Sequence, residues 1–172
     1  MLKDVFSPIV KSFLFVIMLV FCSGMAVANQ PTSLTPLEKN IAATITTNSK
    51  AELDFLEKIV NINSGTDNPE GVYAVGNLVK NEFEKLGFIG EWKNLPTEMG
   101  HAGTLILSMQ GNQGMHLILI GHLDTVFHKE SSLQKFTQKG NVATGPGIAD
   151  DKGGVALILF AMKEKFINFN NY

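Results

Sequence analysis

Residues 115–120 form a nearly uninterrupted apolar run, Met-His-Leu-Ile-Leu-Ile, which sharply limits the folds open to this chain. A strand with one face in water alternates polar and apolar residues, whereas a continuous apolar run is typical of a strand buried on both faces of an α/β sheet. Two further strands are predicted at about residues 88–92 and 104–109. We therefore predict an α/β fold with a partial, largely parallel sheet flanked by helices.

Helical periodicity predicts the elements that cover this sheet. One segment has apolar residues three and four positions apart and ends at Gly87, a residue type that often follows a helix C-terminus. An earlier helix is predicted to begin at Thr35, with Thr as the N-cap and Pro36 at the first helical position. Separate helices are predicted at about residues 50–60 and 155–166. The apolar stripe of the clearest helix comprises Val72, Val75, Val79, Phe83 and Leu86.

The N-terminal region has the organisation of a secretory signal peptide. Lys3 and Lys11 come before the uncharged apolar residues 12–21, and the small residues Ala-Val-Ala follow at 26–28. This order predicts cleavage after Ala28. A membrane anchor is less favoured, because a spanning helix needs about 20 apolar residues. A lipoprotein is also less favoured, because bulky Phe21 precedes Cys22. We expect residues 1–28 to be removed and the mature chain to be periplasmic or secreted, without membrane attachment.

Composition narrows the classes of partner. Cys22 is the only cysteine, so the mature chain would contain no disulfide and no thiolate ligand. The 172-residue chain has a formal net charge of −2 and no basic run, and this pattern argues against a nucleic-acid partner. The fold must then depend on a hydrophobic core or on a bound metal.

The first candidate site is Gly121-His122-Leu123-Asp124, directly after the apolar run. In an extended chain, residues two apart point to the same side, so His122 and Asp124 would face one site. Neutral imidazole is a good zinc ligand, and a metal-bound His usually donates its other ring proton to a carboxylate. The motif alone is also compatible with a strand end and an ordinary turn.

The second candidate site is the glycine-rich stretch 145–154, which contains the adjacent carboxylates Asp150 and Asp151. One carboxylate can bridge two metal ions through its two oxygens, and a pair of ions about 3.5–4 Å apart can activate water. A turn with two solvated acids is the alternative. Phosphate binding is excluded, because Lys152 precedes the last glycines and no Ser or Thr follows it as a phosphate loop requires.

Taken together, His122, Asp124 and Asp150 in these settings resemble the zinc-dependent exopeptidases that include glutamate carboxypeptidase, aminoacylase and succinyl-diaminopimelate desuccinylase. Residues 145–154 look closest to the glutamate carboxypeptidase branch, and the resemblance runs from about residue 50 to about residue 163. It implies that His122 ligates one zinc ion, that Asp150 bridges two zinc ions, and that Asp124 is the acidic residue of the catalytic site that holds His122. It also implies a cis peptide bond after Asp150.

The family's general-base glutamate and its later ligands come from segments that would follow Tyr172. We therefore expect residues 29–48 to be a linker with a first helix, and residues 49–172 to be an incomplete zinc-peptidase catalytic domain. The implied function is that of a truncated metallo-carboxypeptidase that acts on a peptide or N-acyl amino acid, and relatives are often homodimeric. Whether this chain alone is an enzyme stays open. The alternative is a non-catalytic secreted module that binds a metal or another ligand.

Overall fold

The structure, a computed structural model, describes residues 33–111 and 116–169. The signal peptide predicted for residues 1–28, including Cys22, lies outside these residues. Within the two described ranges, no helix is both long and apolar enough to cross a membrane.

The chain divides into two compact units, residues 1–38 and 39–172. In the described part of the first unit, Thr35 and Glu38 form a reciprocal cap. The Thr35 backbone N–H donates to Glu38 Oε2 at 2.7 Å, and the Glu38 N–H donates to Thr35 Oγ1 at 3.3 Å. This arrangement satisfies two donors at the start of a helix, as the predicted Thr N-cap requires.

The described part of the chain contains three α-helices and four short strands. Helix α1 spans Pro36–Val60, α2 spans Pro69–Glu84 and α3 spans Lys152–Phe169; the strands are β1 Ile89–Lys93, β2 Thr104–Ser108, β3 Thr137–Lys139 and β4 Val142–Thr144, and a 3-10 turn occupies Thr97–Met99.

Helix α1 is continuous, whereas the sequence predicted one helix that begins at Thr35 and a separate helix at about residues 50–60. The hydroxyls of Thr44, Thr46 and Thr47 each donate to the carbonyl four residues earlier, at 2.8–3.0 Å. These bonds satisfy the hydroxyls within the helix, so the polar residues do not interrupt it.

The hydrophobic core lies between α2 and α3. The periodic residues Val79 and Phe83 of α2 are buried against Val155, Leu159 and Phe160 of α3. Burial of such side chains stabilises the fold by about 1.5–3 kcal/mol each. The core therefore fixes the position of α3 against α2, and with it the position of the glycine-rich loop that precedes α3.

The prediction of a largely parallel sheet is wrong, although the mixture of helices and strands is confirmed. Strand β1 pairs with β2, and β3 pairs with β4, and both pairs are antiparallel. Their connections explain the direction. Residues 94–103 join the first pair and Gly140-Asn141 join the second, and parallel strands would need a crossover of a dozen or more residues. Gly140 has a φ of 59°, as tight hairpin turns favour.

The apolar run that motivated the parallel sheet does not form a strand over its described residues 116–120. Its side chains are exposed instead: Leu117 by 74 %, Ile118 by 82 % and Ile120 by 86 %. A strand requires a partner for its backbone groups, and no described strand lies beside this run.

Candidate metal centre

The segment that carries His122 and Asp124 is fixed by a turn that follows α1. The buried Ser64 hydroxyl donates to the Leu123 carbonyl at 2.9 Å, and the Thr125 N–H donates to the Ser64 carbonyl at 2.9 Å. Leu123 itself packs against the hydrophobic core. The residues on either side of Leu123 are thereby held at the surface, where His122 is exposed and Asp124 is half-buried.

The glycine-rich loop is a compact turn that leads into α3. Gly147 adopts a φ of 73°, which side-chain-bearing residues rarely adopt. Its carbonyl accepts the N–H groups of both Asp150 and Lys152, at 3.2 and 2.9 Å. The loop therefore presents Asp150 two residues before the N-terminus of α3, near the end of the helix where the dipole favours negative charge.

These two segments bring His122 and Asp150 together. His122 Nε2 lies 2.8 Å from Asp150 Oδ1. On the other side of the ring, Nδ1 lies 3.0 Å from the Asp124 carbonyl oxygen and 3.3 Å from its Oδ1. Both ring nitrogens thus face oxygen atoms, while the Asp150 side chain is 87 % exposed and open to solvent ions.

The hydrogen bond to Asp150 raises the pKa of His122 above its ordinary value, burial opposes that shift, and the Asp124 backbone and carboxylate reinforce it. The protonated ring donates from both nitrogens, whereas a neutral ring donates from only one. A neutral His122 that donates from Nδ1 would turn the lone pair of Nε2 toward a carboxylate oxygen. A divalent cation bound to both atoms would remove this repulsion, so the pair offers two donors of the types that zinc binds.

Asp151 is a further acidic residue beside His122 to which the sequence assigned no role. Its Oδ2 accepts the His122 backbone N–H at 3.3 Å. Its carboxylate lies between Gly121 and Gly154, where an added Cβ would come within 2.8 and 2.1 Å of its oxygens. The peptide bond between Asp150 and Asp151 is cis, as the family resemblance implied.

The fit to a metal is partial. Zinc usually takes three or four protein ligands. Among residues 33–111 and 116–169, no group of three or more His, Cys, Asp and Glu side chains is arranged to hold an ion. His122 and Asp150 therefore provide two convergent donors, and a full coordination sphere would need others.

The sequence did not predict two residues that support the site without being candidate ligands. The Lys152 ammonium is buried and donates to the carbonyls of Ile59 and Ile62 at 2.9 and 2.8 Å, which ties the glycine loop to the end of α1. Thr66 donates its hydroxyl to Asp124 Oδ2 at 2.6 Å. The stretch around Thr66 is rich in turn-forming residues, which favour a loop but do not indicate its contact with Asp124, 58 positions away.

Two comparisons with known proteins bear on this site. Residues 118–170 match the sequence profile of peptidase family M20/M25/M40. The chain is also 40 % identical over 115 residues to carboxypeptidase G2 of Pseudomonas sp. (strain RS-16). That match covers 66 % of this chain and 27 % of the relative, so the chain spans about a quarter of the relative's length. Both findings confirm the resemblance to exopeptidases of the glutamate carboxypeptidase type that the two motifs predicted.

Proposed function

We propose that this chain contributes part of a two-zinc site in a metallo-carboxypeptidase that hydrolyses the amide bond next to a C-terminal amino acid. The observation that supports this most directly is the 2.8 Å separation of His122 Nε2 and Asp150 Oδ1. These atoms come from the two motifs that resemble the zinc exopeptidases, and they converge although their residues are 28 positions apart in the chain.

Each residue has a distinct role in this proposal. His122 would hold one zinc ion through Nε2, and Asp150 would help to hold both ions. Asp124 accepts the Nδ1 proton of His122 and so leaves Nε2 unprotonated for the metal, an arrangement common among metal-bound histidines. Bound zinc supplies an activated water molecule and polarises the scissile carbonyl. The described residues orient this donor set, and we assign no general base among them.

The properties of the whole enzyme are part of the same proposal. The name of the carboxypeptidase relative supports a substrate with a free C-terminal carboxylate, such as a peptide or an N-acyl amino acid. The N-terminal sequence supports a periplasmic or secreted location after cleavage at Ala28. We expect the whole enzyme to form homodimers, because proteins of the family that it resembles are often homodimeric.

One observation favours the alternative of a non-catalytic secreted module that binds a metal or another ligand. Within the described part of the chain, two convergent donors are found rather than three or four. An incomplete site of this kind can retain a cation without activating water, so metal binding and hydrolysis have to be measured separately.

Titration with zinc, followed by calorimetry, tests the assignment of the ligands. We expect the wild-type chain to bind zinc, and His122→Ala and Asp150→Ala to lose at least about tenfold in affinity, since each removes a ligand. The matched control is His128→Ala, because His128 also pairs with a carboxylate, Asp67, at 2.9 Å on the surface. Unchanged affinity in His122→Ala would contradict the proposal.

Hydrolysis of N-acyl glutamate and of dipeptides by the zinc-loaded chain then separates the two functions. If the wild-type chain releases the C-terminal amino acid and Asp150→Ala does not, the result supports the carboxypeptidase function. Zinc binding at His122 without hydrolysis supports the binding module. A chain that binds no zinc contradicts both.

A further inference from the structure

The turn Ser64-Gly65-Thr66 lies directly against the His122–Thr125 segment. Gly65 and Thr125 form an isolated parallel bridge, and the Thr66 N–H donates to the Thr125 carbonyl at 3.0 Å. The approach is close, because a Cβ on Gly65 would lie 2.8 Å from the Phe127 carbonyl oxygen. The turn therefore helps to hold the segment that carries His122 and Asp124.

The side chain of Thr66 has a contact that this backbone pairing does not require. Its hydroxyl lies 2.6 Å from Asp124 Oδ2, and the next acceptor, the Thr125 carbonyl, is 3.3 Å away. A hydroxyl that donates to a carboxylate makes a short, charge-assisted hydrogen bond. The other carboxylate oxygen of Asp124, Oδ1, lies 3.3 Å from His122 Nδ1, and this nitrogen also lies 3.0 Å from the Asp124 backbone carbonyl oxygen. The hydroxyl of Thr66 thus completes a chain of contacts that runs through Asp124 to His122.

The structural and orienting contributions of this turn come from different groups. The backbone of Thr66 and the buried Ser64 hydroxyl hold the segment in place. The Thr66 residue is itself exposed, so loss of its hydroxyl leaves no buried gap and preserves the backbone bonds. What would change is the rotation of the Asp124 carboxylate, whose terminal torsion is otherwise broad.

We propose that Thr66 is a positioning residue of the metal centre, whose hydroxyl fixes the Asp124 carboxylate in the orientation that holds His122 ready to bind the ion. This inference rests on the proposed function, since it assumes that His122 ligates the metal. Without the Thr66 hydroxyl, the Asp124 carboxylate constrains the His122 imidazole less. Metal binding then weakens although the proposed ligands His122 and Asp150 are still present.

Thr66→Val tests the proposal, because valine keeps the branched shape and removes the hydroxyl. Cobalt(II), which reports its ligand environment through visible absorption, is titrated into the full chain and its variants. We expect Thr66→Val to weaken cobalt binding about tenfold, the lower end of the effect of groups that support metal ligands, and to alter the absorption of bound cobalt. Thr66→Ser restores the hydroxyl and is expected to bind within about twofold of wild type.

Thr104→Val, on exposed β2, is the matched control and is expected to bind like wild type. Equal affinity and spectra for Thr66→Val and wild type would overturn the proposal. The proposal would also be overturned if Thr66→Ser bound cobalt as weakly as Thr66→Val. The same holds if the unfolding midpoint of Thr66→Val fell enough to explain its loss of affinity. His122→Ala is titrated in parallel. If it abolishes binding while Thr66→Val does not change it, the Thr66 proposal alone fails; if wild type binds no cobalt, or His122→Ala binds it normally, both proposals fail.

Discussion

Asp150 and Lys152 are two positions apart in the glycine loop, yet their environments are opposite. The Asp150 side chain is 87 % exposed, whereas Lys152 is 1 % exposed. The charged end of Lys152 is compensated by the carbonyls of Ile59 and Ile62, without which burial of an ammonium would be very costly. Burial lowers the pKa of Lys152 to about 8. At neutral pH the side chain is therefore largely protonated and can donate to both carbonyls.

Replacement of Lys152 by alanine is expected to destabilise the fold by at least about 2 kcal/mol, since it leaves two carbonyls without their donor and opens a cavity. Urea unfolding measures the effect. Lys139→Ala, at an exposed position on β3, is the control and should change stability by less than about 0.5 kcal/mol. A Lys152→Ala midpoint equal to that of wild type would show that the carbonyls find other partners.

At the scale of elements, α2 and α3 are joined by an ion pair as well as by the core. Lys163 Nζ on α3 lies 2.5 Å from Glu82 Oε2 on α2, and it also lies over the Phe160 ring at 4.7 Å. Glu82 accepts a second hydrogen bond from Lys85. The bonds from Lys163 and then Lys85 hold the pKa of Glu82 below its ordinary value, against a smaller effect of burial.

This ion pair predicts a pH dependence with a definite sign. Because the pKa of Glu82 is lower in the folded chain than in the unfolded chain, its contribution is complete above the ordinary value of 4.5 and is lost as the pH falls through the lowered pKa. For a partly exposed pair we expect a contribution of up to about 1 kcal/mol. Urea unfolding of wild type should therefore lose more stability between about pH 7 and about pH 3 than unfolding of Glu82→Gln does.

Glu98→Gln, in the exposed 3-10 turn, is the matched control for the loss of one carboxylate. It should keep the pH dependence of wild type. Parallel curves for Glu82→Gln and wild type over the acidic range would contradict the role of the ion pair.

At the scale of the whole molecule, the exposed apolar run is the most unusual feature. Leu117, Ile118, Leu119 and Ile120 are 74, 82, 50 and 86 % exposed, and they form no strand. A soluble chain rarely exposes several adjacent large apolar residues, and an unpaired extended segment invites pairing with another chain.

We therefore expect the chain to self-associate in a concentration-dependent way, as measured by light scattering after size-exclusion chromatography. Ile118→Lys places a charge in the middle of the run and should shift the population toward monomer. Ser132→Lys, at another exposed position, controls for the added charge alone. A monomeric wild-type chain over a hundredfold range of concentration would contradict this prediction.

The sequence by itself determined what depends on neighbours in the chain. The periodicity of Val75, Val79 and Phe83 predicted the buried face of α2, and Gly87 adopts the positive φ expected after a helix, 88°. The residue types and spacing of the two motifs also indicated a resemblance to the zinc exopeptidases, which the comparisons confirm.

The tertiary structure decided what depends on distant partners. A strand is defined by its pairing, so composition alone could not show that the described strands pair antiparallel or that residues 116–120 stay unpaired. The same holds for the approach of His122 to Asp150, for the burial of Lys152 and for the hydrogen bond of Thr66 to Asp124. Each joins segments separated by at least 28 positions, and only the packing of the helices and the turn after α1 brings these segments together.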